Sequence, residues 1–327
     1  MKAIHFYQYG SPDVLQLQEI EKPVIGDHDV LVKVRAAATN PKDWHIMRGS
    51  PYFLRLFFGL LKPKDPSLGA ELAGQVEAVG KHVTQFQPGV EVYGRIDGSF
   101  AEYSCVQEQE ALVSKPANLS FEEAASVPLA ALTALQGLRD AGQLQSGQTV
   151  LINGASGGVG TYAVQIAKAF GAVVIGVCST RNVERMYSIG ADRVIDYTQA
   201  DFTRDPALSK AGCDLMLDMI GNRSLFECVR VMNQHGRYVL IGGPEGSGIL
   251  GPLGHFLKAL LISPFVEQKV TSLDMKRNKA DLLLLKEMIE IGQVTPVIDR
   301  HYPLNQVPEA IRYLETGHAQ GKVVISV

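Results

Sequence analysis

The chain has 327 residues, of which 46% are hydrophobic and 20% charged, which is typical of a globular enzyme with room for two separate cores. The formal net charge of −3 provides no basic excess, so a nucleic-acid partner is not expected. The four cysteines form no C-x-x-C pair, which argues against a disulfide framework and favours a reducing compartment.

The sequence indicates a cytoplasmic protein without a membrane span. Its first residues, MKAIHFYQYG, resemble neither a secretory leader nor an Arg/Ser-rich presequence. No run reaches the roughly 18 apolar residues that suggest a spanning helix. The most apolar stretch, residues 249–266, is broken by prolines, glycines and a lysine. We interpret the loop 245–266 as a lid or an interface, with membrane contact as the alternative.

Residues 1–122 are predicted to form a β-rich, barrel-like domain. Short strand candidates alternate there with turn clusters rich in Gly and Pro, a texture typical of barrels. The strand candidates are 2–6, 14–19, 29–38, 71–79, 91–94 and 100–106.

Residues 123–276 are predicted to form a doubly wound domain. Ser120 is a good N-cap for a first helix, which Pro128 should kink or restart. Strands then alternate with helices, which indicates a six-stranded parallel sheet. The strand candidates are 150–153, 173–178, 193–197, 214–219, 237–242 and 269–275. The tail 277–327 adds two helices and a last strand at 322–327, which we expect to complete the first domain.

The stretch 149–171, TVLINGASGGVGTYAVQIAKAFG, reads as a strand, a glycine turn and a helix. Its turn fits A-x-G-x-x-G, with Ala155, Gly157 and Gly160 at the three marked positions. Gly157 would let the backbone approach a pyrophosphate, and Gly160 would let the helix lie close to the strand. The turn therefore predicts a dinucleotide site, with an ordinary glycine turn as the alternative. The other predicted contacts of the turn are Ser156, Gly158 and Val159.

The end of the next strand indicates which dinucleotide binds. An NAD-binding protein places an acidic residue there, about 20 residues past the turn, on the ribose 2′-hydroxyl. This chain has Ser179, Thr180, Arg181 and Asn182 instead. Hydroxyl and guanidinium donors suit a 2′-phosphate, so NADPH is favoured, with Ser179 and Arg181 as contacts. The alternative is that Arg181 begins a helix and faces solvent.

Several motifs in this order resemble the medium-chain dehydrogenase/reductase superfamily, and within it the zinc-independent NADPH:quinone oxidoreductase branch. They are ASVPLAALTALQGL at 125–138, the glycine turn, GADRVIDY at 190–197 and GKVVI at 321–325. The resemblance implies an α/β fold: a GroES-like catalytic domain, 1–122 completed by 277–327, and a Rossmann NADP(H)-binding domain, 123–276. It also implies catalysis in a cleft between the two domains.

The related alcohol dehydrogenases bind a catalytic zinc, and the comparison predicts no metal here. The three matching ligand positions carry Asn40, Ala70 and Leu129. These side chains are not the His, Cys or carboxylate ligands that zinc requires. The four-cysteine loop that holds a structural zinc is missing as well. Glu71 is left without a metal, and we expect it to form an ion pair or to lie at a solvated edge.

Without a metal, the negative charge that develops on the acceptor oxygen requires aimed hydrogen-bond donors. A quinone or an α,β-unsaturated carbonyl compound suits such a site because its developing anion is delocalised, whereas an isolated ketone profits more from a Lewis acid. The candidate catalytic donors are Asn40, at the vacated ligand position, and Tyr52; Lys42 is a further candidate. Tyr52 approximately matches a tyrosine near the substrate in the branch. The alternative is a half-buried aromatic residue.

The resemblance implies further cofactor contacts. Tyr197 corresponds to a tyrosine near the adenosine phosphate, with a packed strand end as the alternative. Thr133 could reach the nicotinamide side. Lys322 could also bind the cofactor, although a lysine near the terminus is more often solvated. The end of the fifth strand lies where doubly wound sheets bind ligands, which adds Ile241, Gly242 and Gly243.

The sequence thus predicts an NADPH-dependent, zinc-independent oxidoreductase that reduces quinones or enones. One alternative is a double-bond reductase with a specific substrate. Another is a cofactor-binding regulatory or structural protein with little turnover. We expect a homodimer that pairs through the sixth strand, because an uncovered edge strand favours a partner; the alternative is an edge protected by its own charges.

Overall fold

The computed structural model describes residues 1–243 and 261–327. Most of the loop 245–266, predicted as a lid or an interface, lies outside the described residues. The chain divides into two compact units. The first comprises residues 1–132, 276–292 and 296–327, and the second comprises residues 133–275 and 293–295. The domain limits at 122/123 and 276/277 stay predictions.

The strands of the described part are β1 (Lys2–His5), β2 (Gln16–Glu19), β3 (Asp29–Ala38), β4 (Leu72–Val79), β5 (Glu91–Gly94), β6 (Tyr103–Gln107), β7 (Leu112–Ser114), β8 (Thr149–Asn153), β9 (Val173–Cys178), β10 (Arg193–Asp196), β11 (Cys213–Asp218), β12 (Met232–Leu240), β13 (Lys269–Ser272), β14 (Ile298–Pro303) and β15 (Lys322–Ser326). The helices are α1 (Pro41–Arg48), α2 (Arg55–Phe58), α3 (Phe121–Ala125), α4 (Pro128–Gln136), α5 (Gly158–Ala169), α6 (Val183–Ser188), α7 (Pro206–Ala211), α8 (Leu225–Cys228), α9 (Lys279–Glu290) and α10 (Val307–Leu314).

The first unit is built around β3, whose ten residues are mostly buried. This strand pairs antiparallel with β4, β6 and β15, so the last strand of the chain belongs to the same sheet. The antiparallel pairing brings the end of β3 to the beginnings of β4 and β15. Leu72 lies opposite Ala37, and Val324 lies opposite Ala38. The residues just outside these three strand ends therefore come together at one edge.

The second unit contains the predicted six-stranded parallel sheet, in the order β10-β9-β8-β11-β12-β13. Its inner strands β8, β9 and β11 are buried on both faces, and their apolar side chains form the core with α5 and α6. The order of the strands reverses between β8 and β11, the two neighbours in the middle of the sheet. In such a sheet, ligands bind outside the carboxyl ends of the strands at this point.

Most differences from the sequence-based elements lie at their ends. Pro128 restarts the helix, since α3 ends at Ala125 and α4 begins at Pro128. Ser120 caps α3 with its side chain in a capping box with Glu123. Two strands, β7 and β14, were not predicted. Both are short or mixed in polarity, and pairing with β5 and β15 gives them their strand geometry.

Candidate active site

The glycine turn of the second unit connects β8 to α5. Gly154 begins the turn with a φ of +88°, which favours glycine. Gly157 is the N-cap of α5 and has an extended backbone, without any side chain to cap the helix. The first N–H groups of α5, at Gly158, Val159 and Gly160, thus point out of the helix end without intrahelical partners. This is the arrangement that binds phosphate.

Gly157 and Gly160 are needed for different reasons. A Cβ on Gly160 would lie 2.2 Å from the carbonyl oxygen of Gly154, so only glycine allows α5 to pack against the turn. A Cβ on Gly157 would meet only that same oxygen, at 3.5 Å, and would otherwise enter open space. Packing inside the protein therefore does not require glycine at position 157. A ligand that approaches the backbone closely does require it, so the turn fits a dinucleotide.

The polar segment after β9 lies at the same edge of the sheet. Ser179 is half-buried and Arg181 is exposed. Tyr197, directly after β10, exposes half of its surface. The hydroxyl of Thr180 donates to a carboxylate that the sequence reading did not include, that of Asp196, at a distance of 2.5 Å. Asp196 ends β10, and only the pairing of β10 with β9 places it beside Cys178, the last residue of β9.

The Asp196 carboxylate is already occupied by hydrogen bonds from the protein. Besides Thr180, it accepts from the backbone N–H and the hydroxyl of Thr198, at 2.9 and 2.7 Å. The hydrogen bonds from Thr180 and Thr198 hold the pKa of Asp196 below its ordinary value, so the group is ionised at neutral pH. A negative charge thus lies next to the segment predicted to bind the 2′-phosphate. It repels the phosphate that Arg181 would attract.

The remaining predicted contacts of the second unit are three residues that follow the end of β12 and one residue of α4. The N–H groups of Ile241 and Gly242 donate to the carbonyl oxygen of Asp218, the last residue of β11. A Cβ on Gly242 would lie 2.0 Å from the carbonyl oxygen of Met219, so this close approach requires glycine. Gly243 follows them as the last described residue before the gap. Thr133, on α4, is buried.

A buried ion pair lies in the first unit, at the strand edge described above. The ammonium of Lys322 donates to the Glu71 carboxylate at 2.7 Å, and both side chains are almost completely buried. It also donates to the side-chain oxygen of Asn40 at 2.7 Å and to the carbonyl oxygen of Thr39 at 3.1 Å. The ammonium thus uses its three N–H donors within the protein. The ion pair confirms the first of the two expectations for Glu71.

Asn40 and Glu71 are also fully engaged in this network. The Asn40 amide donates to Glu71 at 2.7 Å and to the carbonyl oxygen of Ala38 at 3.2 Å. The second carboxylate oxygen of Glu71 accepts the backbone N–H of Leu129 at 2.7 Å, which anchors the first turn of α4. The positions that hold zinc ligands in the related dehydrogenases, those of Asn40, Ala70 and Leu129, therefore surround an ion pair built around an ammonium group.

The network bears on the predicted roles of Lys322 and Asn40. Lys322 belongs to the first unit, as does Asn40, and its ammonium has no N–H left for a ligand. Its role as a cofactor contact stays a prediction that this geometry does not favour. Asn40 likewise has no N–H left to donate to a substrate, so its catalytic role stays a prediction and its observed role is to position Lys322 and Glu71. Sequence reasoning missed the contact because the two residues are 282 positions apart.

Tyr52 is not a hydrogen-bond partner in this network and lies in a short turn before α2. Its ring is 59% exposed and stacks with the Arg55 guanidinium, 4.8 Å from the ring centroid. The hydroxyl has no hydrogen-bond partner within residues 1–243 and 261–327. Tyr52 is thus an accessible donor and not the half-buried aromatic residue of the alternative. Its catalytic role stays a prediction.

Charged residues also surround the beginning of α1. The Asp43 carboxylate is completely buried and accepts the backbone N–H of Asn40 at 2.7 Å. Burial raises the pKa of Asp43 to about 7, against the opposing effects of that hydrogen bond, Lys42 and Arg95. Lys42 donates to Asp97 at 2.8 Å, and burial together with the charge of Arg95 lowers the pKa of Lys42.

The described residues also bear on metal binding and on membrane insertion. In residues 1–243 and 261–327, no group of three or more His, Cys, Asp or Glu side chains is placed to hold a metal ion. No helix of that part of the chain is long and apolar enough to span a membrane.

Comparison with known proteins agrees with this fold. Residues 26–117 match the family model of the alcohol dehydrogenase GroES-like domain, and residues 189–325 match that of zinc-binding dehydrogenases. The chain is 38% identical to the 2-methylene-furan-3-one reductase of Solanum lycopersicum, over 99% of this chain and 79% of the relative. It is 35% identical, with the same two coverages, to the chloroplastic NADPH-dependent alkenal/one oxidoreductase of Arabidopsis thaliana.

A solved structure, that of the quinone oxidoreductase from Coxiella burnetii, has the same fold with a TM-score of 0.85. The two chains are 30% identical, and the match covers 100% of this chain and 99% of that one. One matching family model is named for zinc. In this chain, however, the three positions that hold zinc ligands in the related dehydrogenases carry Asn40, Ala70 and Leu129. The chain belongs to the medium-chain dehydrogenase/reductase superfamily, in its zinc-independent quinone oxidoreductase branch, and is an oxidoreductase of a family that uses a nicotinamide cofactor.

Proposed function

We propose that the protein is an NADPH-dependent reductase of quinones or α,β-unsaturated carbonyl compounds. The observation that carries the acceptor class is the Lys322–Glu71–Asn40 network. The Lys322 ammonium is the cation at the positions of the metal ligands. All three of its N–H groups donate to acceptors of the protein. An acceptor that delocalises its own developing charge fits such a site best, because an isolated carbonyl oxygen would need a stronger electrophile close by.

Different residues of the chain would bind the cofactor, donate to the acceptor oxygen and position these groups. A bound nicotinamide supplies the hydride. The N–H groups at the start of α5 hold the pyrophosphate, and Gly157 leaves room for it. Tyr52, whose hydroxyl is accessible, is the proposed donor to the acceptor oxygen. Lys322 and Glu71 keep the loop at Asn40 and the first turn of α4 in place.

The choice of NADPH rests on the segment after β9. Ser179 and Arg181 offer a hydroxyl and a guanidinium donor for a 2′-phosphate, whereas the hydroxyl of Thr180 already donates to Asp196. Asp196 opposes this choice, but three hydrogen bonds from Thr180 and Thr198 already satisfy its carboxylate. A carboxylate held this way is not free to bind the two ribose hydroxyls of NADH. The name of the Arabidopsis relative, which includes NADPH, supports the same choice.

Reduction of a carbon–carbon double bond is the second candidate reaction. The tomato and Arabidopsis relatives are named for a 2-methylene-furan-3-one and for alkenals and alkenones, all of which contain a double bond conjugated to a carbonyl group. The same hydride transfer could reduce such a bond, since the negative charge again develops on the conjugated oxygen. Product analysis separates a saturated ketone from an allylic alcohol or a hydroquinone.

The function is tested by initial rates of NADPH and NADH oxidation with a benzoquinone, a naphthoquinone, an alkyl enone and a saturated aldehyde. We expect turnover of the first three, with NADPH preferred. Turnover of the saturated aldehyde alone would contradict the argument from the Lys322 network. Tight NADPH binding without turnover of any acceptor would favour the regulatory or structural alternative.

Arg181→Gln tests the cofactor preference. We expect it to raise the KM for NADPH about ten- to a hundredfold and to leave the KM for NADH unchanged, because a charge-assisted hydrogen bond to phosphate is lost. Arg185→Gln, another exposed arginine four residues further on, is the matched control and should change neither value. An equal effect of both substitutions would show that Arg181 acts only through the general charge of the surface.

The oligomeric state and the location also remain proposals. We propose a homodimer, because β13 forms one edge of the six described strands of its sheet. We propose a cytoplasmic location from the four free cysteines, three of which are buried.

A further inference from the structure

The segment of residues 56–64, LFFGLLKPK, combines large apolar side chains with basic ones. It contains five Leu or Phe residues, two lysines and no acidic residue. Four of the apolar side chains are largely exposed, and Leu61, at 89%, is the most exposed of them. The four are Leu56, Phe57, Leu60 and Leu61. A cluster of this kind on a protein surface marks a site of interaction.

The segment is held in place by the rest of its unit. The hydroxyl of Tyr9 donates to the carbonyl oxygen of Gly59 at 2.6 Å, and the N–H of Lys64 donates to the carbonyl oxygen of Phe58 at 2.7 Å. The second hydrogen bond closes a turn, with Leu60 and Leu61 at its tip. The apolar tip is therefore presented by a closed and anchored loop and is not a frayed end.

The shape and the charge of the segment indicate its partner. Pockets for small molecules are concave and cover most of their ligand. Leu60 and Leu61, with two thirds or more of their surface exposed, instead protrude. Lys62 and Lys64 follow the tip directly, and neither forms an ion pair with any residue of the part that the structure describes. A protruding apolar tip next to unpaired cations complements a lipid surface with anionic headgroups.

We propose that the 56–64 segment docks the protein on anionic membrane surfaces. Leu56, Phe57, Leu60 and Leu61 would enter the boundary between headgroups and acyl chains, while Lys62 and Lys64 would stay at the phosphates. The segment is far too short to span a bilayer, so the contact is peripheral and reversible. This inference goes beyond the proposed function and does not depend on which acceptor is reduced.

The test is co-sedimentation of the full chain with vesicles of phosphatidylcholine alone and of phosphatidylcholine mixed with phosphatidylglycerol. We expect partitioning to the mixed vesicles that weakens with added salt, because the lysine contribution is screened. Leu60→Ser/Leu61→Ser should lower the partition coefficient by about tenfold or more, since apolar area is lost at the tip. Lys62→Gln/Lys64→Gln should lower it roughly thirtyfold on the anionic vesicles only, at the usual contribution of a surface lysine.

Matched controls separate the segment from general changes in polarity and charge. Val24→Ser/Ile291→Ser removes two other exposed apolar side chains, and Lys33→Gln/Lys210→Gln removes two other exposed charges. Neither control should change partitioning, and all variants should keep the thermal midpoint of the parent protein.

Three outcomes would overturn the proposal. The first is that the parent protein does not sediment with the mixed vesicles. The second is that the segment variants and the controls reduce sedimentation equally. The third is that Leu60→Ser/Leu61→Ser leaves vesicle binding unchanged and instead changes the oligomeric state or the KM for long-chain acceptors, which would assign the segment to a second copy of the chain or to substrate.

Discussion

Gly157 and Gly160 stand three residues apart in one turn, but the space around them differs. A Cβ at position 160 would collide with the backbone of Gly154, whereas a Cβ at position 157 would enter open space. The φ of Gly157, −79°, is one that alanine adopts without strain. Packing of the fold therefore requires glycine at position 160, whereas binding of the ligand requires glycine at position 157.

Alanine at each position should separate these two roles. Gly157→Ala should leave the thermal midpoint nearly unchanged and raise the Kd for NADPH at least about tenfold, because its methyl group occupies the space of the phosphate. Gly160→Ala should lower the free energy of unfolding by about 1–3 kcal/mol, since overpacking forces α5 away from β8. Fluorescence titration and urea unfolding measure the two quantities. A Gly157→Ala variant that binds NADPH normally would place the phosphate elsewhere.

The buried ion pair of Lys322 and Glu71 is the second feature at this scale. Removing one partner leaves the other charge buried and unpaired, which typically costs about 3–5 kcal/mol of stability. We therefore expect Glu71→Gln and Lys322→Met each to destabilise the protein by roughly that amount in urea unfolding. The double variant should be destabilised by much less than the sum of the two, because the pair is coupled.

The exposed pair of Lys22 and Glu77 is the control for this cycle. Its side chains are each 40% exposed, so substitution of either should cost less than about 1 kcal/mol. Additive effects in the Lys322–Glu71 cycle would show that the two charges do not stabilise each other.

At the scale of single elements, α1 begins with a buried acid. Burial raises the pKa of Asp43 to about 7 in the folded protein, from 3.8 as the ordinary value. Between these two values the folded state keeps a proton that the unfolded state has lost. The free energy of unfolding that Asp43 contributes must then fall as the pH rises from about 4 to 7 and level off above.

Asp43→Asn should remove this dependence. We expect the stability of the parent protein relative to the variant to decline across this pH range by up to about 4 kcal/mol, at roughly 1.4 kcal/mol for each pKa unit. Urea unfolding of both proteins at several pH values measures the difference. A difference that stays constant, or that grows with pH, would mean that Asp43 is ionised in the folded state throughout this range.

The edge strand β13 carries the proposal of a homodimer. The N–H of Leu273, directly after β13, donates to Leu240 of β12. Since N–H groups alternate in direction along a strand, those of Val270 and Ser272 point to the free edge. Val270→Pro should therefore leave β12 paired and abolish pairing with a second copy.

Sedimentation velocity measures this effect. The parent protein should sediment as a dimer, with twice the chain mass of 35.5 kDa, and Val270→Pro should sediment as a folded monomer. Its thermal midpoint should be somewhat lower than that of the parent protein, because Val270 packs against the core. A monomeric parent protein would contradict the proposal, and a dimeric variant would place the interface elsewhere.

At the scale of the whole molecule, the sequence predicts the fold better than it predicts the site. The strand–turn–helix unit at 149–171 is formed by consecutive residues, so its parts can be recognised from the sequence. The six-stranded sheet follows from the alternation of strands and helices around this unit. The Lys322–Glu71–Asn40 network depends on β3, β4 and β15 meeting at one edge, and no local pattern reports this. Asp196 was missed for a similar reason, since β10 meets β9 only in the folded sheet.

The central claim is that the protein transfers hydride from NADPH to a conjugated acceptor. The most direct measurement is a single-turnover reaction of the parent protein with NADPH that carries deuterium in place of both hydrogens of nicotinamide C4 and with a simple alkyl enone, followed by mass spectrometry and NMR of the product. We expect one deuterium on the β-carbon of a saturated ketone and a slower rate than with unlabelled NADPH. Deuterium on the carbonyl carbon of an allylic alcohol, or its absence from the product, would contradict the account for enones.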